Sequence, residues 1–414
     1  MKLKNSITHF TLLTFVIFLL NCSCSAPNNE IKNNESIIVS IESPAKVHSG
    51  EPHLYSDQEG MVYMSWIEGH PEGWHILKFS KLVKEQWSSP QEIISGNNWF
   101  VNWADYPTLS VKPNGHMIAH LLVKSGPGTF AYDVTLLQSQ DSGKSWSSPF
   151  TPHTDKTETE HGFVSILPIK DQFFATWLDG RNTNVKGGHG HGGEMSLRAA
   201  FINQDNSVEN EALLDLRVCD CCQTGATLTE HGPVVVYRDR SEEEIRDISI
   251  VRYVNGNWTE PKSVYADGWK ISGCPVNGPK VASIENKLAV AWFSAANSKP
   301  TVKIAFSPDN GETFSDPVRI DDGHPLGRVD LVMLRDGSVM ISWLETENDE
   351  TVIKVRKVNS DGNKEASIKI ANTSSSRASG FPQMALSDNH LYFAWTNVEG
   401  DSTVIRTSYQ AIKY

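Results

Sequence analysis

Apolar residues recur along this chain in short alternating runs, each closed by a large ring side chain and followed by a polar loop. Seven such runs read "MVYMSWIEG", "HMIAHLLVK", "FFATWLDGR", "PVVVYRDRS", "KLAVAWFSA", "SVMISWLET" and "LYFAWTNVE". The ring residues that anchor them, His120 standing in once, fall at 66, 120, 177, 237, 292, 343 and 395. Their spacings are 54, 57, 60, 55, 51 and 52 residues. Alternation of period two predicts strands, and a repeat of this length is that of a propeller blade.

The same order returns inside each repeat. A run of small residues ("YPTLSV", "HGFVSIL", "KVASI", "RVDLVML") precedes a turn such as "KPNG" or "RDG", and the aromatic strand follows. A third strand ("HILKFSKL", "VKIAFSPD", "VIKVRKV") and a short fourth one ("PQEIIS", "DPVRID", "EASIKI") complete the unit. Four antiparallel strands per blade are therefore expected. The last repeat stops after three, and "SIIVSIES" at 36–43 can supply the fourth, closing the ring and removing its open edge. The fold expected is all-β, one seven-bladed β-propeller over residues 36–414; a six-bladed ring is the alternative if one repeat is spurious.

The first 35 residues follow another pattern. Lys2 and Lys4 precede an apolar run from Phe10 to Leu20, too short for a permanent membrane span and typical of a secretory signal. Residues 1–21 read as a signal peptide, and "LLNC" as a lipobox with Cys22 the lipidated residue and Cys24 a second candidate. A cleaved signal and a free periplasmic protein is the alternative. Residues 22–35 read as a flexible tether. A bacterial cell-envelope location follows, with the membrane met only through the lipid.

Charge narrows the partners. The net charge of −12 becomes −14 once Lys2 and Lys4 leave with the signal, which argues against nucleic acid or an anionic membrane surface. A monomer is expected.

Chemistry concentrates on one set of loops. The segments leading into the innermost strands include "NNWFVNWADY", "DKTETEHGF", "RVCDCCQTG", "DGWKISGCPVNGP", "DDGHPLGRVD" and "SSSRASGF". The loops after the second strands add "LDGRNTNVKGGHGHGGEM" and "YRDRSEEEIRD". In a propeller these loops open on one face. Arg181, Arg238, Arg240, Arg246 and Arg328 are candidates for binding an anionic ligand, since guanidinium groups pair bidentately with carboxylate or sulfate. The other reading of "RDRSEEEIRD" is a self-neutralising ion-pair loop. Trp99, Trp103 and Trp269 stack on sugar faces or pack between blades. Asp105, Asp179, Asp239 and Asp330 are candidate acid/base or glycosidase carboxylates, and Tyr106 with His161 a candidate lyase base and acid.

Two turns, "SQDSGKSW" at 139–146 and "SPDNGETF" at 307–314, match the Asp-box pattern Ser-x-Asp-x-Gly-x-Thr-Trp. On them the chain resembles the sialidase-like (BNR-repeat) propellers of bacteria. Asp141 and Asp309 are structural in that pattern, because the Asp caps its own turn and the Gly takes positive φ. The resemblance implies the propeller fold and an exo-glycosidase acting on an acidic carbohydrate outside the cytoplasm; a non-catalytic glycan- or protein-binding propeller, a polysaccharide lyase and an envelope copper- or zinc-binding protein using the Cys-x-Cys-Cys loop are the alternatives. Sialidases of that family use six blades, an Arg-Ile-Pro motif, three arginines on the substrate carboxylate, a Tyr/Glu nucleophile pair and an Asp acid. This chain has no Arg-Ile-Pro segment, and its first arginine is Arg181. The family's site residues are therefore not carried over.

Four cysteines remain beyond Cys22 and Cys24, namely Cys219, Cys221, Cys222 and Cys274, on the lead-in loops of neighbouring blades. An even count in an oxidising compartment favours disulfides, one of them tying the Cys-x-Cys-Cys segment to Cys274. A vicinal Cys221–Cys222 bridge would be strained, which keeps open a copper or zinc site drawing on His189 and His191, and also unpaired redox-active thiols. No cofactor is firmly implied.

Overall fold

The computed structural model describes Met1, residues 37–183 and residues 193–412. Cys22, His189, His191, the leader and the tether lie outside the described residues.

Seven antiparallel sheets follow one another along the chain. Their innermost strands are Ser49–Ser56, Leu109–Val111, His161–Ile169, Gly225–Thr229, Lys280–Ile284, Pro325–Met333 and Gln383–Ser387, which head blades 1 to 7. The aromatic strands pair beside them, Val62–Gly69 in blade 1 through His390–Glu399 in blade 7. Ile38–Ile41 completes blade 7 by pairing with Ser402–Ala411, with Ile38 opposite Gln410 and Ile41 opposite Thr407. The seven-bladed reading and its closure hold.

Blade 2 departs from the four-strand rule. Its outer edge is a single bridge in which Leu136 and Phe150 exchange both backbone bonds, at 2.7 and 3.0 Å. Pro149 and Pro152 flank Phe150, and neither has an N–H for a longer ladder.

The repeat is also written in the core. Trp66, Trp177, Trp292 and Trp343 are at most 1% exposed. In three of these blades the indole N–H donates to an acid two residues on: Trp66 to Glu68 at 3.0 Å, Trp177 to Asp179 at 2.9 Å and Trp343 to Glu345 at 2.5 Å. In blade 2 the aromatic position holds His120, whose Nδ1 receives the Thr108 N–H at 3.0 Å. Burial lowers the pKa of that imidazole to about 3, so it works as a neutral acceptor.

The two Asp-box turns are built alike. Asp141 accepts from the Ser145 N–H at 2.9 Å and Asp309 from the Thr313 N–H at 2.8 Å. Gly143 and Gly311 sit at φ +83° and +84°, where a Cβ would strike Phe79 and Ile250 of the preceding blade at 2.3 and 2.8 Å. Asp141 and Asp309 are scaffold, as their pattern implied.

Candidate functional site

The seven innermost strands enclose a central cavity of about 370 Å³, large enough for one or two sugar units. Alignment of the blades by strand register defines its waist. The residue paired with the position before each aromatic is His53, Leu109, Ser165, Gly225, Lys280, Asp330 and Gln383 in blades 1 to 7.

At the waist and in the segments leading into it, side chains of one blade catch backbone N–H groups of the next. His53 Nδ1 accepts from Leu109 at 3.3 Å, and Asp105 from Phe163 at 2.8 Å. Gln223 Oε1 accepts from Gly278 at 3.0 Å, Asn277 Oδ1 from Arg328 at 2.7 Å and Asp330 Oδ2 from Met384 at 2.6 Å. Two of these donors are strained, Phe163 at φ +55° and Arg328 at φ +52°. Each lies at a bulge of its innermost strand, where the freed N–H needs a partner.

Recurrence separates scaffold from chemistry. Asp105 and Asp330 belong to the set of blade clamps, and Asp179 to the set of indole acceptors. Asp105 and Asp330 both line the cavity, whereas Asp179 is not among its described lining residues. Burial lifts the Asp105 carboxyl to about pH 7, the Phe163 bond offsetting only part of the effect. Between the unfolded value of 3.8 and about 7 the unfolded chain releases this proton while the folded chain retains it, so stability falls as pH rises through that window. Asp105→Asn keeps the acceptor and has no proton to lose. Its Tm relative to wild type is expected to climb from pH 4 to pH 7 and then level off, which thermal scans across that range would measure.

The arginines do not converge on the cavity; Lys280 is the one lysine or arginine among its described lining residues. Arg238 is 2% exposed and saturated by the carbonyls of Asn277, Arg246 and Phe293 at 2.6–3.1 Å. Its guanidinium lies 4.8 Å from the Trp269 ring centre. Arg328 bonds Ser379 Oγ and Gly380 O, both at 2.7 Å, and lies 4.9 Å from the Trp103 ring, which stacks on Phe381. Arg240 and Arg246 both pair with Glu244, at 2.7 and 2.8 Å, so "RDRSEEEIRD" is the self-neutralising loop. Trp99 and Trp269 are buried packing residues. Asp239 accepts from Arg240 N and Ser249 Oγ within its own blade, and burial raises its pKa to about 6.

Arg181 and His161 meet elsewhere, in a charged cluster between blades 2 and 3. Arg181 grips Asp179 at 2.7 Å and Glu211 at 2.8 Å. His161 is fully buried, with Asp155 at 3.3 Å, Asp133 at 3.5 Å and Asp179 at 3.7 Å. His153 stacks on it at 4.0 Å, the rings 7° from parallel. A metal must lie near the plane of each imidazole that binds it, and parallel stacked rings share no such point. Burial opposes the charge on His161, but Asp155, Asp179 and Asp133 outweigh it and raise its pKa; burial and charged His161 lower that of His153 to about 4. His161 is thus the cation of an ion network with Asp155, Asp133 and Asp179.

The waist itself holds a group that occurs once in the ring. Lys280 Nζ donates to the Tyr106 hydroxyl at 2.9 Å and stands 3.5 Å from Asp330 Oδ1. Burial opposes the Lys280 charge, yet Asp330 and Tyr106 together hold its pKa above the ordinary value, and Lys280 in turn helps burial keep His53 neutral, at about 3. Lys280 escaped the motif reading because it opens a plain strand, "KVASI". Aligning the seven repeats on the residue before the aromatic would have exposed it.

The cysteines are the other singular feature. No disulfide is present among the described residues: Cys219, Cys221 and Cys222 are buried free thiols, and Cys274 is free and exposed. Within the Cys-x-Cys-Cys segment, the Cys219 sulfur lies 3.8 Å from that of Cys221 and 3.5 Å from that of Cys222, against about 2.05 Å for a bond.

No family model matches the chain, and no curated protein does. Solved structures with some likeness include a family PL25 ulvan lyase bound to -[GlcA(1-4)Rha3S]-, 13% identical, covering 77% of this chain and 80% of its own, at a TM-score of 0.48. The phage phi92 endosialidase is 12% identical over 92% of this chain and 70% of its own, at 0.47. The NanB sialidase of Streptococcus pneumoniae is 9% identical over 91% and 94%, at 0.45. Likeness at this level leaves the activity of the present chain to its own residues.

Proposed function

We propose that the protein acts on a glycan, admitting one or two sugar units to the central cavity, with Tyr106 as the proton-transferring group and Lys280 as its activator. The observation that carries this reading is the Lys280–Tyr106 contact of 2.9 Å at the waist of a cavity of sugar size. An ammonium at that distance stabilises negative charge developing on the Tyr106 oxygen as its proton is transferred. An acidic sugar places its carboxylate beside Lys280, the one cation among the described lining residues. No clamp of three arginines faces the cavity, which favours a uronic acid over a sialic acid. Gln383 and Thr108 add polar groups around the ring.

The test is a panel of uronate-containing, sialylated and neutral oligosaccharides with wild type and Tyr106→Phe. New reducing ends without an unsaturated product mean hydrolysis, and an unsaturated uronate means elimination. Tyr106→Phe should lower turnover about 10²–10⁴-fold in either case. Retention of full turnover by this variant, or no turnover of any glycan by wild type, would overturn the proposal.

A further inference from the structure

Nothing in that reaction uses the thiols at the rim. The lead-in loop of blade 4 is pinned by Val218 N–H to Met195 O at 2.8 Å and Cys219 N–H to Arg238 O at 3.0 Å. Held this way, three cysteines within four residues turn their sulfurs inward to one point. Cys219 Sγ lies 3.8 Å from Cys221 Sγ and 3.5 Å from Cys222 Sγ, and all three residues are at most 7% exposed. A second group, formed by Asp220, Cys221 and Cys274, has its ligand atoms within 4.8 Å of one another and shares Cys221 with the first. Cys274 comes from the lead-in loop of blade 5, so two blades contribute.

These separations fit coordination. A tetrahedral ion with metal–sulfur bonds of about 2.3 Å holds its sulfurs about 3.8 Å apart. Simple thiol packing gives similar distances, but it does not account for the guanidinium on the cluster. Arg246 is 4% exposed and donates to Cys219 Sγ at 3.2 Å, with Asp220 Oδ1 at 3.5 Å. Glu244 steadies the far edge of the same guanidinium at 2.8 Å. A guanidinium donating to sulfur favours the thiolate form there.

We propose that Cys219, Cys221, Cys222 and Cys274 bind one thiophilic d10 cation, Zn²⁺ or Cu(I), with Asp220 at its solvent-facing edge. Arg246 is a positioning residue that offsets part of the thiolate charge. The exposed Cys274 leaves the site open to exchange from solvent. This inference is independent of the glycan reading, because its test measures metal and thiols rather than turnover.

The full-length protein, reduced under anaerobic conditions, would be titrated separately with Zn²⁺ and Cu(I) against a chromophoric chelator. Alkylation of each cysteine would then be followed by peptide mass spectrometry. One equivalent of one ion should be taken up tightly, protecting Cys219, Cys221, Cys222 and Cys274 together while Cys24 is unaffected. Cys219→Ser should abolish stoichiometric uptake, and Arg246→Met should weaken it about 10–100-fold. Because a variant can fail for lack of folding, removal and return of the ion in wild type, with thermal unfolding as the folding check, gives a mutation-free readout. Equal alkylation of all four thiols with and without either ion would overturn the proposal. So would recovery of a Cys219–Cys222 disulfide from native envelope material, since the loop would then be a redox staple.

Discussion

Replacing Lys280 by Met is expected to lower kcat/KM by about 10²–10³ on whichever acidic glycan the panel identifies, chiefly through kcat. The ammonium is the only lining cation described for the cavity, and it touches the Tyr106 oxygen at 2.9 Å. Without it, charge developing on the Tyr106 oxygen would have no counter-charge and would face Asp330. The fold should tolerate the change. Asp330 keeps its bonds from Leu331 N at 2.9 Å and Met384 N at 2.6 Å, and the methionine fills much the same volume. A steady-state comparison with a parallel Tm measurement separates the cases. Lost turnover with a near-normal Tm supports the role; unchanged kcat/KM would remove Lys280 from the chemistry and weaken the case for Tyr106.

Arg238→Met should have the largest effect on stability, about 3–5 kcal/mol, with little effect on ligand affinity beyond that loss. Its guanidinium ties Arg246 O in its own blade to Asn277 O and Phe293 O of the next. Truncation leaves these buried carbonyls unpaired and removes the cation from the Trp269 face. For a domain of this length that corresponds to a fall in Tm of about 5 °C. Arg328→Met should behave alike, since it loses Ser379 Oγ and Gly380 O and exposes the strain at its φ of +52°. Arg181→Met is expected to cost less, because Arg198 still reaches Glu211 at 3.1 Å and the site is partly exposed. Near-wild-type Tm for Arg238→Met, with ligand affinity lost, would return the arginines to a binding role.

The linear chain determined the blades. Strand alternation, a ring residue every 51–60 positions, and the missing fourth strand set the number of sheets and their closure. Those are local properties, readable because a strand buries alternate residues whatever surrounds it. The Asp-box aspartates were legible for the same reason, since their partners lie within four residues. Which polar groups face one another was decided only by tertiary structure. Asp105 and Asp330 look like catalytic carboxylates in sequence, and each also holds a backbone N–H of the next blade, Phe163 at a bulge for Asp105 and Met384 for Asp330. Arg238 and Arg328 look like ligand anchors, and are consumed by carbonyls 39 to 55 residues away. Lys280 and Tyr106, separated by 174 positions, meet because ring closure brings the heads of non-adjacent blades to a common axis. A hydrogen bond is worth little until both groups are desolvated together, and that pairing is a property of the assembled ring rather than of any stretch of it.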